Sequence, residues 1–148
     1  MEPKESLSAK RTRTQWAAQF LTASELVRRG YTVSFTMGNH TPDADLMVGA
    51  PSHRQFWVDV KGLSAKAGWL IRNKADRAEL YYVLVYLAPL PDGRHSRQPD
   101  RFFVLTQAET NDLIDRFQSA RPNNKGTMPG FNWRDAHPYE DAWHKLPQ

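Results

Sequence analysis

The chain has 148 residues and no cysteine, is 40% hydrophobic, and carries a formal net charge of +4 at pH 7. This length suits one domain with a substantial core, and the lack of cysteine excludes disulfides and thiolate zinc sites. No apolar run reaches the roughly 18 residues of a membrane span, and the polar start argues against a secretory signal, so we expect no membrane association and a cytoplasmic protein.

The first predicted element is a helix over residues 12–30, "TRTQWAAQFLTASELVRRG". Trp16, Phe20 and Val27 recur at helical spacings, which is typical of an amphipathic helix. Gly30 follows two arginines, as is common at a helix C-terminus. Residues 1–11 are interpreted as a polar, potentially disordered tail.

Three strands are predicted next, at residues 31–37, 44–50 and 56–62. The turn "PSHRQ" is short enough to make the second and third strands antiparallel neighbours. Alternation along the third strand, "FWVDVKG", places Trp57, Asp59 and Lys61 on one face. This arrangement brings an acid and a lysine to the same side of the sheet.

The second half of the chain begins with a mixed segment, residues 63–80, in which "KADRAEL" (74–80) has a helical pattern. Further elements are predicted as strands at 81–87 and 101–106 and a helix at 107–120. The first of these strands is apolar throughout, which indicates a central strand covered on both faces. Residues 121–148 are predicted to be an irregular aromatic tail docked on the core. The order predicts an α/β fold with a mixed central sheet of about five strands flanked by helices.

Two carboxylates and one lysine form the candidate site. Asp45 opens the second strand and Asp59 lies near the end of the third, so Asp45 can approach Asp59 and Lys61. One or two carboxylates suffice to hold Mg²⁺, and a neighbouring lysine can activate water or stabilise charge on a phosphate. This pattern favours metal-assisted phosphodiester hydrolysis. Taken alone, Asp-x-Lys is more typical of the charged edge of an ordinary strand.

Residues 17–62 contain "RRGY", "GN", "DLMV" and "VDVKG" in this order. The order and spacing resemble small bacterial members of the PD-(D/E)xK nuclease superfamily, and "YYVLVYLA", "RFFVLT" and "YEDAWHKL" extend the likeness over most of the chain. The resemblance implies a restriction-endonuclease-like core forming a single domain over residues 1–148. It also implies a DNA endonuclease that depends on Mg²⁺ or Mn²⁺. Because many nucleases of this fold cut both strands as dimers, a homodimer is a further expectation.

The resemblance assigns the site residues one by one. Asp45 is the first metal ligand, Asp59 the second acid and metal ligand, and Lys61 the catalytic lysine. Asp43, in the literal "PD", is an alternative for the first role, but Asp45 directly precedes the aliphatic run where this fold presents the acid.

The first helix departs from the family pattern. Similar nucleases carry a glutamate eleven residues before the helix-ending glycine, where this chain has Gln19. An amide oxygen can ligate a cation weakly or hold a metal-bound water but brings no negative charge. Glu25 is a poor substitute because it lies roughly 120° away around the helix.

Four basic residues after the motif are predicted to contact nucleic acid: Lys66, Arg72, Lys74 and Arg77. The alternative for these four is a solvated helix face. Trp57 could stack on a base or be covered by the first helix, and the latter is the stronger expectation. His40 is expected to be an exposed turn residue, with contact to substrate as the alternative.

Gln19 leaves a second function open, namely a nucleic-acid-binding module that keeps the nuclease fold with weak or no catalysis. A structural or interaction protein is the third interpretation. Metal binding separates the first two, and binding of neither metal nor DNA would indicate the third.

Overall fold

A computed structural model describes residues 3–36, 44–94, 96–123 and 129–148. Its elements in chain order are α1 (Leu7–Arg28), β1 (Thr32–Phe35), β2 (Leu46–Gly49), β3 (Gln55–Leu63), β4 (Trp69–Leu70), β5 (Leu80–Tyr86), β6 (Arg101–Thr106), α2 (Gln107–Ser119), β7 (Gly130–Phe131) and the 3-10 helices Trp133–Tyr139 and Trp143–Lys145. Within the described ranges, no helix is both long and apolar enough to cross a lipid bilayer.

The central sheet has five strands in the order β1-β2-β3-β5-β6. β3 and β5 are parallel, and the other neighbours are antiparallel, including the predicted pair β2 and β3. The sheet is mixed because the chain between β3 and β5 crosses back over the sheet before β5 begins. β4 and β7 form a separate two-stranded sheet. The prediction of an α/β fold with a mixed five-stranded sheet is confirmed.

Helices α1 and α2 pack on opposite faces of the central sheet. Because successive side chains of a strand point to opposite faces, each helix covers alternate residues of the strands. On the α1 face, Phe56, Val58 and Val60 of β3 pack in one core cluster. On the α2 face, Tyr82 and Leu84 of β5 pack in a second cluster together with apolar residues of α2. β5 contributes buried side chains to both clusters, as its continuous apolar sequence predicts.

Helix α1 begins at Leu7, within the segment 1–11 that the sequence assigned to a tail. The side chain of Ser6 accepts a hydrogen bond from the backbone N–H of Ala9 at 3.1 Å, which caps the helix. The first turns of α1 are largely exposed, so they lack the apolar periodicity that marked the rest of the helix. Residues 7–11 are therefore helical rather than part of a tail.

The helix predicted for residues 74–80 is wrong. The segment has no regular secondary structure and ends in a turn before β5. Gln107 accepts a hydrogen bond from the backbone N–H of Arg77 at 2.8 Å and also donates to the backbone of the same segment. Glu79 has a positive φ of 63°, and its carbonyl accepts from the N–H of Trp57 at 2.7 Å. Tertiary partners thus satisfy the backbone groups that a helix would have paired internally.

Several apolar residues near the C-terminus are buried against the rest of the chain. Phe131, Trp143 and Leu146 are each at most 6% exposed. Phe131 joins the α2-face cluster, whereas Trp143 and Leu146 join the α1-face cluster. Phe131 lies in β7, Trp143 lies in the second of the two 3-10 helices, and Leu146 follows that helix directly; the sequence predicted none of these elements.

Candidate active site

The candidate site lies where β2 and β3 separate. The pairing of β2 with β3 ends at Leu46 and Val58, while β3 continues to Leu63. Beyond that point the backbone N–H of Val60 has no strand partner on this side, and Asp45 Oδ2 accepts it at 2.8 Å. The backbone N–H of Asp45 also donates to the carbonyl of Val58 at 3.1 Å. These bonds fix the carboxyl group of Asp45 against the continuing strand.

Two glutamines of α1 hold the helix over this end of β3. The amide of Gln15 donates to the carbonyl of Val60 at 2.7 Å and accepts from the N–H of Gly62 at 3.3 Å, so it continues the hydrogen bonding of the strand edge. One turn later, Gln19 Nε2 donates to Asp45 Oδ1 at 3.4 Å, and Gln19 is 3% exposed. The side chain of Gln19 therefore contacts Asp45, the residue predicted to be the first acid.

Asp59 is a buried carboxylate between two lysines. It is 3% exposed, and its Oδ1 lies 3.4 Å from Lys61 Nζ. Its Oδ2 lies 2.6 Å from the Nζ of Lys74, which comes from the segment between β4 and β5. Both lysine side chains remain about one-third exposed, at 34%. The charge of Asp59 is thus compensated while both ammonium groups stay open to solvent.

The two acids have opposite electrostatic environments. Burial, followed by the negative charge of Asp59, raises the pKa of Asp45 to about 7. Burial also opposes ionisation of Asp59, but the charge of Lys61 and the hydrogen bond from Lys74 outweigh it and lower the pKa of Asp59. Near neutral pH one carboxyl group is therefore ionised while its neighbour is partly protonated. Such divergent pairs are enriched at functional sites.

The carboxylate oxygens of Asp45 and Asp59 suit a hard divalent cation, although they would fill only part of its coordination shell. The described ranges contain no group of three or more acidic or histidine side chains able to hold a metal. Mg²⁺ nevertheless binds proteins through one or two carboxylates and completes its shell with water and substrate oxygens. A cation held by Asp45 and Asp59 would relieve the repulsion that raises the pKa of Asp45. Rotation of the Gln19 amide would add one oxygen.

Of the alternatives to these residues, only Glu25 lies within the described part of the chain. Asp43 and His40 are outside the described residues. The carboxylate of Glu25 faces Arg28 at 3.6 Å and Arg29 at 3.4 Å, at the C-terminal end of α1. Glu25 therefore takes part in surface ion pairs and not in the site. This agrees with its predicted position roughly 120° around the helix from Gln19.

A cavity of about 290 Å³ opens beside Asp59 and Lys61. Arg72 and Lys74 line it as well, together with Pro129 from the chain before β7. Two of the four basic residues predicted to contact nucleic acid therefore border the candidate site. One of them, Lys74, contacts Asp59 directly.

The other two basic residues lie beside aromatic rings. Lys66 is exposed, with Nζ 5.8 Å from the ring centroid of Tyr86. Arg77 covers Trp57, with its guanidinium carbon 4.7 Å from the ring centroid. The expectation that α1 covers Trp57 is wrong, because this side chain packs with the α2-face cluster. Side chains alternate along β3, so Trp57, on the same face as Asp59, points away from α1.

Sequence reasoning missed Gln15 and Tyr82. Gln15 could have been found from the sequence, since it lies one helical turn before Gln19 and therefore on the same face of α1. Tyr82 stands opposite Asp59 in the parallel pairing of β5 with β3, a register that the sequence does not reveal. Its hydroxyl is buried without a hydrogen-bond partner among the described residues, and burial together with the charge of Asp59 raises its pKa.

No protein-family model matches the chain, and neither the curated proteins nor the solved structures contain a match to it. Fold and site together define a mixed α/β protein with a buried carboxylate–lysine cluster where two strands separate.

Proposed function

We propose that this protein is a Mg²⁺- or Mn²⁺-dependent DNA endonuclease of the PD-(D/E)xK type with a restriction-endonuclease-like core. The observation that carries the proposal is the convergence of Asp45, Asp59 and Lys61 where β2 and β3 separate. The approach of Gln19 to Asp45 supports it, because similar nucleases carry their helix glutamate at this position.

Each residue has a distinct role in this proposal. Asp45 and Asp59 would hold the ion, which when bound polarises the phosphate and acidifies a water molecule. Lys61 would position the attacking water and stabilise charge on a phosphate oxygen, and its partial exposure leaves it accessible to substrate. Gln19 would orient Asp45 or a water. Arg72, at the rim of the neighbouring cavity, would contact a flanking phosphate.

A non-catalytic nucleic-acid-binding module is the second candidate, and one contact favours it. Lys74 Nζ lies 2.6 Å from Asp59 Oδ2, where a metal ion would compete with it. Because a glutamine stands in place of the helix glutamate, the site has less negative charge to attract a metal ion strongly enough to displace Lys74 from Asp59. In such a module, Lys74 would neutralise Asp59 permanently, and the basic residues alone would bind DNA.

Incubation of the purified protein with DNA and Mg²⁺ or Mn²⁺ tests the catalytic proposal. We expect cleavage that Lys61→Ala reduces by about 100-fold or more. Lys4→Ala, which removes an exposed lysine distant in sequence, is the matched control and should leave the rate unchanged. Cleavage that persists in Lys61→Ala would refute the assignment. Calorimetry showing DNA binding without binding of either metal would instead support the non-catalytic module.

A further inference from the structure

A second and larger cavity, of about 560 Å³, adjoins the candidate site. It is a groove between the first turns of α1 and the chain from residue 61 to residue 70, and we call it the α1 groove. Lys61 and Leu70 line both the α1 groove and the cavity beside Asp59. A ligand in this groove would therefore extend directly to the catalytic lysine.

The walls of the α1 groove are largely apolar. Leu7 on one wall is 64% exposed and Leu70 on the other is 55% exposed, and Leu63 and the buried Trp69 also line the groove. Large apolar side chains that remain exposed around one concave surface are typical of a binding site. The groove thus suits a weakly polar group.

The rim of the α1 groove is positively charged. Lys10 and Arg11 line it, and neither forms a salt bridge within the described part of the chain. By contrast, Arg13, on the same helix, pairs with Glu5 at 2.6 Å and does not line the groove. The uncompensated charge therefore lies where it can meet an anionic ligand.

The floor of the groove is held rigidly. A Cβ atom at Gly62 would lie 2.8 Å from the Cβ of Ala18, which shows how closely α1 approaches β3. The side chain of Gln15 hydrogen-bonds to two backbone groups along the same edge of β3, the carbonyl of Val60 and the N–H of Gly62. The groove is therefore preformed, and a ligand would not have to separate the helix from the sheet.

We propose that the α1 groove binds unpaired nucleotides of a DNA strand, which makes single-stranded DNA or an unpaired end the substrate class. This inference rests on the proposed nuclease function. An unpaired base would lie against the apolar walls, while Lys10 and Arg11 bind the adjacent phosphates and Lys61 reaches the scissile one. A duplex keeps its bases stacked inside and offers the groove no base face.

Fluorescence anisotropy in EDTA tests the groove without requiring cleavage. A labelled single strand of about twelve nucleotides should bind about tenfold more tightly than the corresponding duplex. Ala67→Trp, which fills the groove, should weaken single-strand binding about tenfold, whereas Ala9→Trp, at an exposed alanine of α1 outside the groove, should not. Thermal unfolding confirms that both variants are folded.

A second pair of variants probes the rim. Arg11→Glu should weaken single-strand binding, whereas Arg121→Glu, at an exposed arginine after α2, should change it far less. Duplex binding as tight as single-strand binding would overturn the proposal, as would unchanged binding by both Ala67→Trp and Arg11→Glu. Tighter binding of an RNA copy of the strand would overturn the assignment to DNA.

The two proposals fail in different ways. Single-strand binding with the expected variant responses, but without cleavage in Mn²⁺, would support the α1 groove and refute the nuclease. Metal-dependent cleavage of duplex with no preference for single strands would support the nuclease and refute the role of the groove.

Discussion

Asp45 combines a structural and an electrostatic role. Its carboxyl group accepts the N–H of Val60 and the amide of Gln19, which fix its position where β2 ends. The same position buries it beside Asp59, so its ionised form is disfavoured. A carboxylate kept in an unfavourable environment is expected to cost stability when no cation is bound.

We predict that Asp45→Asn stabilises the metal-free protein at pH 8 by about 2 kcal/mol, because the amide keeps the acceptor for Val60 but removes the charge. Urea unfolding measures this change. Asp76→Asn, at an exposed aspartate, is the control and should change the free energy of unfolding by less than about 0.5 kcal/mol. Addition of Mn²⁺ should stabilise the wild-type protein but not Asp45→Asn.

The pH dependence of stability follows from the raised pKa of Asp45. In the folded state the pKa of Asp45 is about 7, against 3.8 for an ordinary aspartate, so between these values the folded state binds more protons than the unfolded state. The stabilisation from this proton is complete below pH 3.8 and is lost as the pH rises through about 7. This contribution should be missing from the stability profile of Asp45→Asn. Identical profiles for the two proteins would contradict the assigned pKa shift.

Tyr82 gives a further prediction for a single residue. Its buried hydroxyl has no hydrogen-bond partner among the described residues and lies opposite Asp59 in the strand pairing. Tyr82→Phe should therefore raise the free energy of unfolding by about 1 kcal/mol, since it removes an unsatisfied polar group. Chemical denaturation measures this, with Tyr139→Phe as a partly exposed control. A loss of stability in Tyr82→Phe would show that the hydroxyl is hydrogen-bonded.

The positions of the site residues could be predicted from the sequence only where a single strand or a tight turn determines them. Asp59 and Lys61 share a face because side chains alternate along β3, and the turn between β2 and β3 brought Asp45 to them. Lys74 was not expected beside Asp59, because its place depends on the path of the long crossover. Such tertiary contacts leave no local pattern in the sequence.

Among the secondary-structure elements, α1 and β3 are packed unusually closely at Gly62. A Cβ there would lie 2.8 Å from the Cβ of Ala18 and 3.0 Å from the backbone oxygen of Thr14. The helix backbone cannot yield without moving Gln15 and Gln19, which hold the strand edge and Asp45. This glycine is therefore important for both the fold and the site.

Gly62→Ala should destabilise the protein by about 1–3 kcal/mol because it forces α1 away from β3. Gly49→Ala is the matched control: its new Cβ would meet the Cβ of Thr32 at 3.8 Å, an ordinary contact in β2. That variant should be neutral or up to about 0.5 kcal/mol more stable. Equal effects of the two substitutions in urea unfolding would contradict the close packing.

The elements themselves were largely predictable from periodicity. The alternating and continuous apolar runs located β3, β5 and β6, and α2 follows directly on β6, with Thr106 as its cap. The error over residues 74–80 arose because the composition favours a helix, while Gln107 and the neighbouring strand β3 bind backbone groups that a helix would have paired internally. The short strands β4 and β7 could not be predicted, since each depends on a partner distant in sequence.

At the scale of the whole molecule, the last residues of the chain complete the core on the α1 face. Trp143 is 6% exposed, packs 5.6 Å from the ring of Phe102, and lies under the guanidinium of Arg29 at 4.6 Å. It thereby connects β6 to the end of α1, the helix that carries Gln19. The stability of the site should therefore depend on a tail far from it in sequence.

Trp143→Ala should lower the free energy of unfolding by about 3–5 kcal/mol, because it leaves a large void between α1 and the sheet. The neighbouring His144 is exposed, so His144→Ala is a matched control from the same 3-10 helix and should cost less than about 0.5 kcal/mol. Unfolding followed by tryptophan fluorescence and by circular dichroism should show one transition for both variants. Equal stabilities would mean that the tail contributes little to the α1-face core. A loss confined to Trp143→Ala would instead show that the tail helps to hold the C-terminal end of α1 on the sheet.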